Sequence, residues 1–154
     1  MRSTFVDELV SSMKTGEDVD HDRRGNGIVQ TRTLVTARAL CKGELTLVFG
    51  AGGDRDRAKR PLLGAAARTA DRIVLTSDNP RSENPLAIMS AVEAGIGPHA
   101  DLVLEADRAS AIRLAIGRAK SEDVVLIAGK GHELTQEALG VSSPFSDAAI
   151  AMQV

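Results

Sequence analysis

The sequence predicts an α/β protein with a Rossmann-like fold, in which a mainly parallel sheet carries helices on both faces. Short apolar runs alternate along the chain with segments of helical spacing. Runs such as 45–50 and 123–129 are apolar at nearly every position, as expected of strands that are buried on both faces. The intervening segments are long enough for the helical crossovers that parallel strands require, so a mainly parallel sheet is expected.

The predicted elements follow one another in regular order from Leu45 onward. The four strands are 45–50, 72–78, 100–107 and 123–129. The helices are 61–70, 85–97 and 108–120, with a last helical turn at 146–152. Pro61 and Pro85 suit a first helical turn, and Asn84 suits the N-cap of the second helix.

The first part of the chain differs from the rest. Residues 1–27 are predicted to be a flexible or weakly structured arm, followed by one domain at 28–154. Phe5, Val6, Leu9 and Val10 could form one or two short amphipathic turns. The acidic residues at 17–22 lack the glycine and terminal glutamate spacing of a calcium loop, so a metal site is not favoured there.

Composition excludes several classes of function. The 154 residues contain 19 Lys and Arg against 21 Asp and Glu, so no basic field favours nucleic acid or an anionic membrane. No apolar run approaches the roughly 18 residues of a membrane span. The single cysteine, Cys41, excludes an internal disulfide and fits a reducing compartment. We therefore expect a cytoplasmic protein with no nucleic-acid or membrane partner.

Polar residues and glycines cluster in three loops that follow predicted strands, at 50–55, 77–81 and 129–133. Because the carboxyl ends of parallel strands meet at one edge of a sheet, these loops are expected to lie together and form a site. In the second loop, Pro80 restricts Asn79 to extended geometry, Asp78 could hold an ammonium, and Arg81 offers a planar fork for a carboxylate. An ordinary turn with a surface arginine is the alternative for this loop.

Nucleotide motifs fit these loops poorly. Arg55 stands where the third glycine of G-x-G-x-x-G belongs, and Gly131 follows Lys130 where a phosphate loop needs Ser or Thr. His132 has no second ligand close to it in the sequence, so a metal role is not favoured either. A nucleotide-binding enzyme of another class remains an alternative that NAD or ATP binding would reveal.

The segments GAGGDRDRAKRP, TSDNPRSENP and IAGKGHE, with Phe145-Ser146-Asp147 after them, resemble the C-terminal domain of the Mur ligases. The resemblance covers about residues 45–147 and is greatest to the branch that adds meso-diaminopimelate to UDP-N-acetylmuramoyl-L-alanyl-D-glutamate. It implies peptidoglycan synthesis by ATP-dependent amide formation, in which a substrate carboxylate becomes an acyl phosphate and an amine attacks it.

The resemblance also implies a substrate site. It assigns the binding of meso-diaminopimelate to Arg55, Asp78, Asn79, Pro80, Arg81, Gly129 and Glu133. Arg81 would hold the distal carboxylate and Glu133 the distal ammonium. Lysine has no distal carboxylate and would leave the guanidinium unpaired, at a cost on the order of several kcal/mol. No catalytic residue and no metal ligand are implied within this chain.

The full ligase implied by the resemblance uses ATP, Mg and the UDP-N-acetylmuramoyl dipeptide, and their main sites are expected outside this chain. The family's ATPase and uridine-nucleotide domains have no counterpart in the sequence, so we expect the chain alone to be incomplete. A separate chain could supply the missing domains. A non-catalytic binding or regulatory module for cell-wall precursors, or a degraded remnant, is the alternative.

Overall fold

The computed structural model describes residues 3–6, 25–130 and 133–154. The described strands are β1 Ser3–Val6, β2 Leu45–Phe49, β3 Arg72–Leu75, β4 Leu102–Leu104, β5 Val124–Ile127, β6 Thr135–Ala138 and β7 Val141–Pro144. The described helices are α1 Gly25–Leu40, α2 Lys59–Ala67, α3 Pro85–Ile96, α4 Arg108–Arg118 and α5 Asp147–Ala151.

Five of the described strands form one parallel sheet in the order β1-β5-β2-β3-β4. The sheet centre is β5-β2-β3, where every residue of β2 and β5 is buried. The strands β6 and β7 form a separate antiparallel hairpin after the last sheet strand. The predicted class, a mainly parallel α/β fold, is confirmed.

Helices cover both faces of the sheet, as predicted. On one face, α1, α2 and α3 pack against a cluster that includes Leu45, Leu47 and Phe49 of β2. On the other face, α4 packs against Val48 and Val125, and α5 joins this second cluster. Alternate residues of the central strands thus enter opposite cores, which explains why these strands are apolar at successive positions.

The helices begin where their sequences provide caps. The Asn84 side chain accepts hydrogen bonds from the backbone N–H groups of Leu86 and Ala87, which confirms its predicted role at the start of α3. Asp107 caps α4 in the same way through the N–H of Ser110. None of the described helices combines the length and the apolarity that crossing a membrane requires.

The helices α2 and α3 approach each other closely through two glycines. A Cβ atom added at Gly64 would overlap the carbonyl oxygen of Val92, and one added at Gly95 would overlap the carbonyl oxygen of Pro61. Both neighbours are backbone atoms, which cannot rotate away as a side chain could. The absence of these two side chains therefore sets the separation of α2 and α3.

Three parts of the fold differ from the sequence-based expectation. Residues 3–6 form a strand that pairs with β5, where amphipathic helical turns were expected; pairing with a central strand far along the chain outweighs the local pattern. The helix α1 was not predicted, and it begins before the expected boundary between residues 27 and 28, which stays a prediction. The hairpin β6–β7 was also missed. Leu9, Val10 and the acidic residues 17–22 lie outside the described residues.

Candidate functional site

The three polar loops contact one another at the carboxyl edge of the sheet. The backbone N–H of Gly53 donates to the carbonyl oxygen of Asn79 at 2.8 Å, which joins the first loop to the second. Arg81 Nη1 donates to the carbonyl oxygen of Gly53 at 2.9 Å. Asn79 Nδ2 donates to Glu133 Oε2 at 2.8 Å, which joins the second loop to the third. These contacts hold the loops in one arrangement.

An open cleft of about 420 Å³ lies between these loops and the first turns of α2. The predicted site residues that line it are Arg55, Asp78, Asn79, Arg81, Gly129 and Glu133. Pro80 does not line the cleft: it is buried, and its carbonyl oxygen accepts a hydrogen bond from the N–H of Glu83 at 3.0 Å. Pro80 therefore shapes the loop. The role of each residue toward a ligand stays a prediction.

Glycines allow the loops to meet this closely. A Cβ atom at Gly53 would overlap the carbonyl group of Pro80, so no other residue fits there without moving the two loops apart. Gly129 has a φ of 114°, which side chains disfavour, and a Cβ atom there would lie 3.1 Å from Asp78 Oδ2. At Gly129, which lines the cleft, the backbone rather than a side chain thus forms the wall.

The cleft contains cationic groups that the protein leaves available. Arg55 and Lys59 line it, and their side chains make neither a hydrogen bond nor an ion pair with any described residue. Arg81 is partly used, because Nη1 bonds the carbonyl oxygen of Gly53 and Nε lies 3.7 Å from Glu137 Oε2, whereas Nη2 has no hydrogen-bond partner in the described ranges. A ligand with acidic groups would find these donors already in place.

The hairpin β6–β7 holds Arg81 in an unusual backbone conformation. The φ of Arg81 is 51°, in the left-handed region, which costs on the order of 1 kcal/mol or more for a residue other than glycine. The N–H of Arg81 donates to the carbonyl oxygen of Glu137 at 3.1 Å, and its carbonyl oxygen accepts from Leu139 N–H at 2.7 Å. The hairpin missed from sequence therefore fixes the position of a predicted site residue.

Glu83 and Arg60 connect the first two loops, and no local sequence pattern predicts this pair. Glu83 accepts hydrogen bonds from Arg60 at 2.8 and 3.0 Å and from the N–H of Asp54 at 2.7 Å. The Arg60 guanidinium, followed by the Asp54 N–H, lowers the pKa of Glu83 to about 2. The Arg60 side chain is 5% exposed, and its guanidinium is paired with the Glu83 carboxylate. Arg60 is therefore less available to a ligand than Arg55 or Lys59.

A buried ion pair lies beneath the cleft and was also missed. Arg108 in the first turn of α4 donates to both carboxylate oxygens of Asp147, at 2.8 and 2.7 Å. It also donates to the carbonyl oxygens of Ser77 at 3.3 Å and Ala128 at 3.0 Å, which directly precede two cleft residues. The pair thus joins two helices to the ends of two central strands.

Within the described ranges, no group of three or more His, Cys, Asp or Glu side chains is arranged to hold a metal ion. His132, for which a metal role was not favoured, lies outside these ranges. The sequence also has no glycine-lysine-serine or glycine-lysine-threonine phosphate loop. The cleft offers hydrogen-bond donors and acceptors for a small polar ligand.

A parallel α/β fold with a charged cleft at the carboxyl edge of its sheet defines a ligand-binding α/β domain. Residues 30–131 of the chain match the family model described as "Mur ligase, glutamate ligase domain". The chain therefore belongs to the Mur ligase family, and the resemblance to its C-terminal domain is confirmed.

Similar proteins share one name. The chain is 47% identical over 148 residues to the UDP-N-acetylmuramoyl-L-alanyl-D-glutamate–2,6-diaminopimelate ligase of Aquifex aeolicus, covering 96% of this chain and 30% of that protein. It is 58% identical over 101 residues to the ligase of the same name from Synechococcus elongatus, covering 65% and 20%. A solved structure of a ligase of this name superposes with a TM-score of 0.79 at 40% identity, covering 82% and 26%. The chain spans less than a third of the length of these relatives.

Proposed function

We propose that the cleft binds meso-diaminopimelate, and that the chain is the amino-acid-binding domain of a ligase of peptidoglycan synthesis. That ligase adds meso-diaminopimelate to UDP-N-acetylmuramoyl-L-alanyl-D-glutamate. The observation that carries the proposal is the meeting of available arginines and of carboxylates around one cleft. The names of the relatives support the choice of amino acid.

The chemistry of the ligand matches the groups around the cleft. Meso-diaminopimelate has a carboxylate and an ammonium at each end of a short carbon chain. Arg55 and the unoccupied Nη2 of Arg81 are donors for the carboxylates, while Asp78, Glu133 and the carbonyl of Gly129 are acceptors for the ammonium groups. A cleft of about 420 Å³ lies within the usual range for small-ligand sites.

Selectivity against lysine follows from Arg81. Lysine has the same spacing of its two amines, but it lacks the distal carboxylate that Arg81 would bind. When lysine occupies the partly enclosed cleft, the Arg81 guanidinium loses contact with water but gains no carboxylate in return. Lysine is therefore expected to bind more weakly than meso-diaminopimelate. Ornithine also lacks the distal carboxylate, and its chain is shorter, so it is expected to bind weakly for both of these reasons.

Calorimetry with the full chain tests the proposal. Wild type is expected to bind meso-diaminopimelate more tightly than lysine or ornithine. Arg81→Met should weaken meso-diaminopimelate binding by roughly 10- to 100-fold, the equivalent of one charge-assisted hydrogen bond or two. The control Arg113→Met changes an exposed arginine of α4 outside the cleft and should have no effect. Equal binding of meso-diaminopimelate by Arg81→Met and wild type would contradict the proposed role.

In the larger enzyme, the domain would hold one amine of its ligand toward an acyl phosphate that is formed elsewhere. Such positioning converts a reaction between two molecules into one within a complex. ATP, Mg and the UDP-N-acetylmuramoyl dipeptide would be bound mainly by other domains, on the same or a separate chain, in the cytoplasm.

The chain alone is expected neither to hydrolyse ATP nor to form the amide bond, because its sequence has no phosphate loop. Phosphate release and product formation can be followed with ATP, Mg, the dipeptide and meso-diaminopimelate, in the presence and absence of a chain that carries the other ligase domains. Turnover by the purified chain alone would contradict this division of roles.

A further inference from the structure

We infer that Lys130 is a positioning residue, which orients the Glu133 carboxylate through the Asn79 side chain and thereby strengthens binding of a substrate ammonium. The inference rests on the proposed function, because it concerns one end of the same cleft. It assigns a role to a lysine that does not line the cleft and whose side chain is 0% exposed.

The ammonium group of Lys130 is surrounded by acceptors of the protein itself. Its Nζ donates to Asn79 Oδ1 at 2.9 Å and to the carbonyl oxygen of Thr135 at 2.7 Å. It also lies 3.5 Å from Glu133 Oε2 and 3.5 Å from Asp78 Oδ1. An ammonium has three protons, and these four acceptors surround it. Lys130 therefore acts on a ligand only through the residues that it holds.

The contacts of Asn79 fix the direction of its side-chain amide. Its Oδ1 accepts from Lys130 Nζ and from the backbone N–H of Glu137 at 3.0 Å. Both of these groups can only donate, so the oxygen must face them and the amide cannot be reversed. The Nδ2 group then points the other way, where it donates to Glu133 Oε2 at 2.8 Å. Lys130 and the Glu137 N–H together therefore determine which face of Asn79 meets Glu133.

As a result, one oxygen of the Glu133 carboxylate is bound within the protein and the other is available to a ligand. Glu133 Oε2 has Asn79 and Lys130 as partners, whereas Oε1 has no hydrogen bond to any residue in the described ranges. The Glu133 side chain is 51% exposed and would otherwise lose rotamer freedom when it bound a ligand. Holding Oε2 in advance removes part of that cost and directs Oε1 toward the cleft.

The Lys130 charge also lets two carboxylates share this end of the cleft. Asp78 and Glu133 each have an oxygen 3.5 Å from Lys130 Nζ, so one cation lies between two anions. Without that cation the two carboxylates would repel each other, and Glu133, the more exposed of the two, is the one free to turn away into solvent.

A role in positioning and a role in the fold alone predict different results, because Lys130 also joins the second and third loops to β6. If Lys130 only supports the fold, its loss weakens ligand binding whether or not Glu133 is present. If it acts through Glu133, its loss has little effect once the Glu133 carboxylate has been removed. A double-mutant cycle separates the two.

The cycle uses the full chain and calorimetry with meso-diaminopimelate. Lys130→Met and Glu133→Gln should each weaken binding by roughly tenfold, and the double variant should bind no more than about twofold weaker than Glu133→Gln. Lys130→Gln, combined with Glu133→Gln, gives the same cycle if Lys130→Met does not fold. The control Lys42→Met removes an exposed lysine that does not line the cleft, and should leave binding unchanged. Additive losses in the cycle would overturn the inference.

A readout without ligand keeps the inference separate from the proposed function. The NMR resonances of the Asn79 side-chain amide should shift in Lys130→Met and in Glu133→Gln, but not in Lys42→Met. If wild type fails to bind meso-diaminopimelate while these resonances shift as expected, the ligand is wrong and the positioning role stands. If the resonances are the same in Lys130→Met and wild type, the positioning role is wrong.

Discussion

Arg81 shows how one residue combines recognition with structure. Its Nη1 holds the first loop through the Gly53 carbonyl, and its backbone is held by the hairpin in a left-handed conformation. In the proposed site, only the part of the guanidinium that the protein does not use would bind a ligand. The sequence predicted that Arg81 meets a ligand, because an arginine after Asn-Pro in a strand-end loop is a recognisable pattern. It could not predict the Gly53 contact, which joins residues that lie 28 positions apart.

The buried pair of Arg108 and Asp147 makes a residue-level prediction about stability. Both side chains are almost fully buried, at 0% and 1% exposure. Arg108→Met should lower the free energy of unfolding by about 3–5 kcal/mol, because Asp147 is left buried without its partner. Urea unfolding at neutral pH measures the loss.

Two further variants sharpen this test. Arg108→Met combined with Asp147→Leu should cost less than the sum of the single losses, because no charge is left unpaired. Arg38→Met breaks an exposed ion pair with Asp71 and should cost less than about 1 kcal/mol. Equal losses for Arg108→Met and Arg38→Met would show that burial does not govern the energetics of these pairs.

At the scale of elements, Gly→Ala substitutions in two helices are expected to change the free energy of unfolding in opposite directions, because one glycine is closely packed and the other is not. Gly95→Ala should lower the free energy of unfolding by roughly 1–3 kcal/mol, because the added methyl group meets the Pro61 backbone. Gly117→Ala adds the same group to an exposed position of α4 with open space around it. It should raise stability by up to about 1 kcal/mol. Chemical denaturation of both variants gives the comparison, and a neutral or stabilising Gly95→Ala would contradict the close contact.

The elements that the sequence predicted are those whose burial is visible in the residues themselves. The strands β2 and β5 are apolar at nearly every position, and the Asn84 cap of α3 is a local signal. The hairpin β6–β7 has few buried side chains, so it shows no apolar alternation. The strand β1 depends on backbone pairing with β5 from the other end of the chain, and no local pattern reports such pairing. The positioning contacts of the cleft were missed for the same reason, since they join distant residues.

At the scale of the whole molecule, carboxylates with lowered pKa values predict loss of stability in acid. Hydrogen bonds from Arg60 bring the pKa of Glu83 from 4.5 to about 2, and the N–H groups of Glu44 and Lys120 lower the pKa of Asp123. Between pH 4.5 and pH 2 the unfolded chain takes up protons that folded Glu83 does not. The free energy of unfolding should therefore fall as the pH falls through this range.

Urea unfolding at several pH values measures this dependence. Glu83→Gln removes one of the groups that titrate differently in the two states, so its stability should fall less steeply between pH 4.5 and pH 2 than that of wild type. Stability that stays constant or increases as wild type is acidified would contradict the assigned interactions.

The close approach of α2 and α3 at Gly64 and Gly95 places a determinant of the shape of the cleft outside the cleft itself. The first turns of α2 contribute Lys59, Arg60 and Leu63 to one wall of the cleft. The packing of α2 against α3 therefore affects the shape of the cleft. Enlarging the residue at 64 or 95, with the lost stability compensated elsewhere, would therefore move this wall. Every side chain that lines the cleft would keep its identity while the shape of the cleft changed.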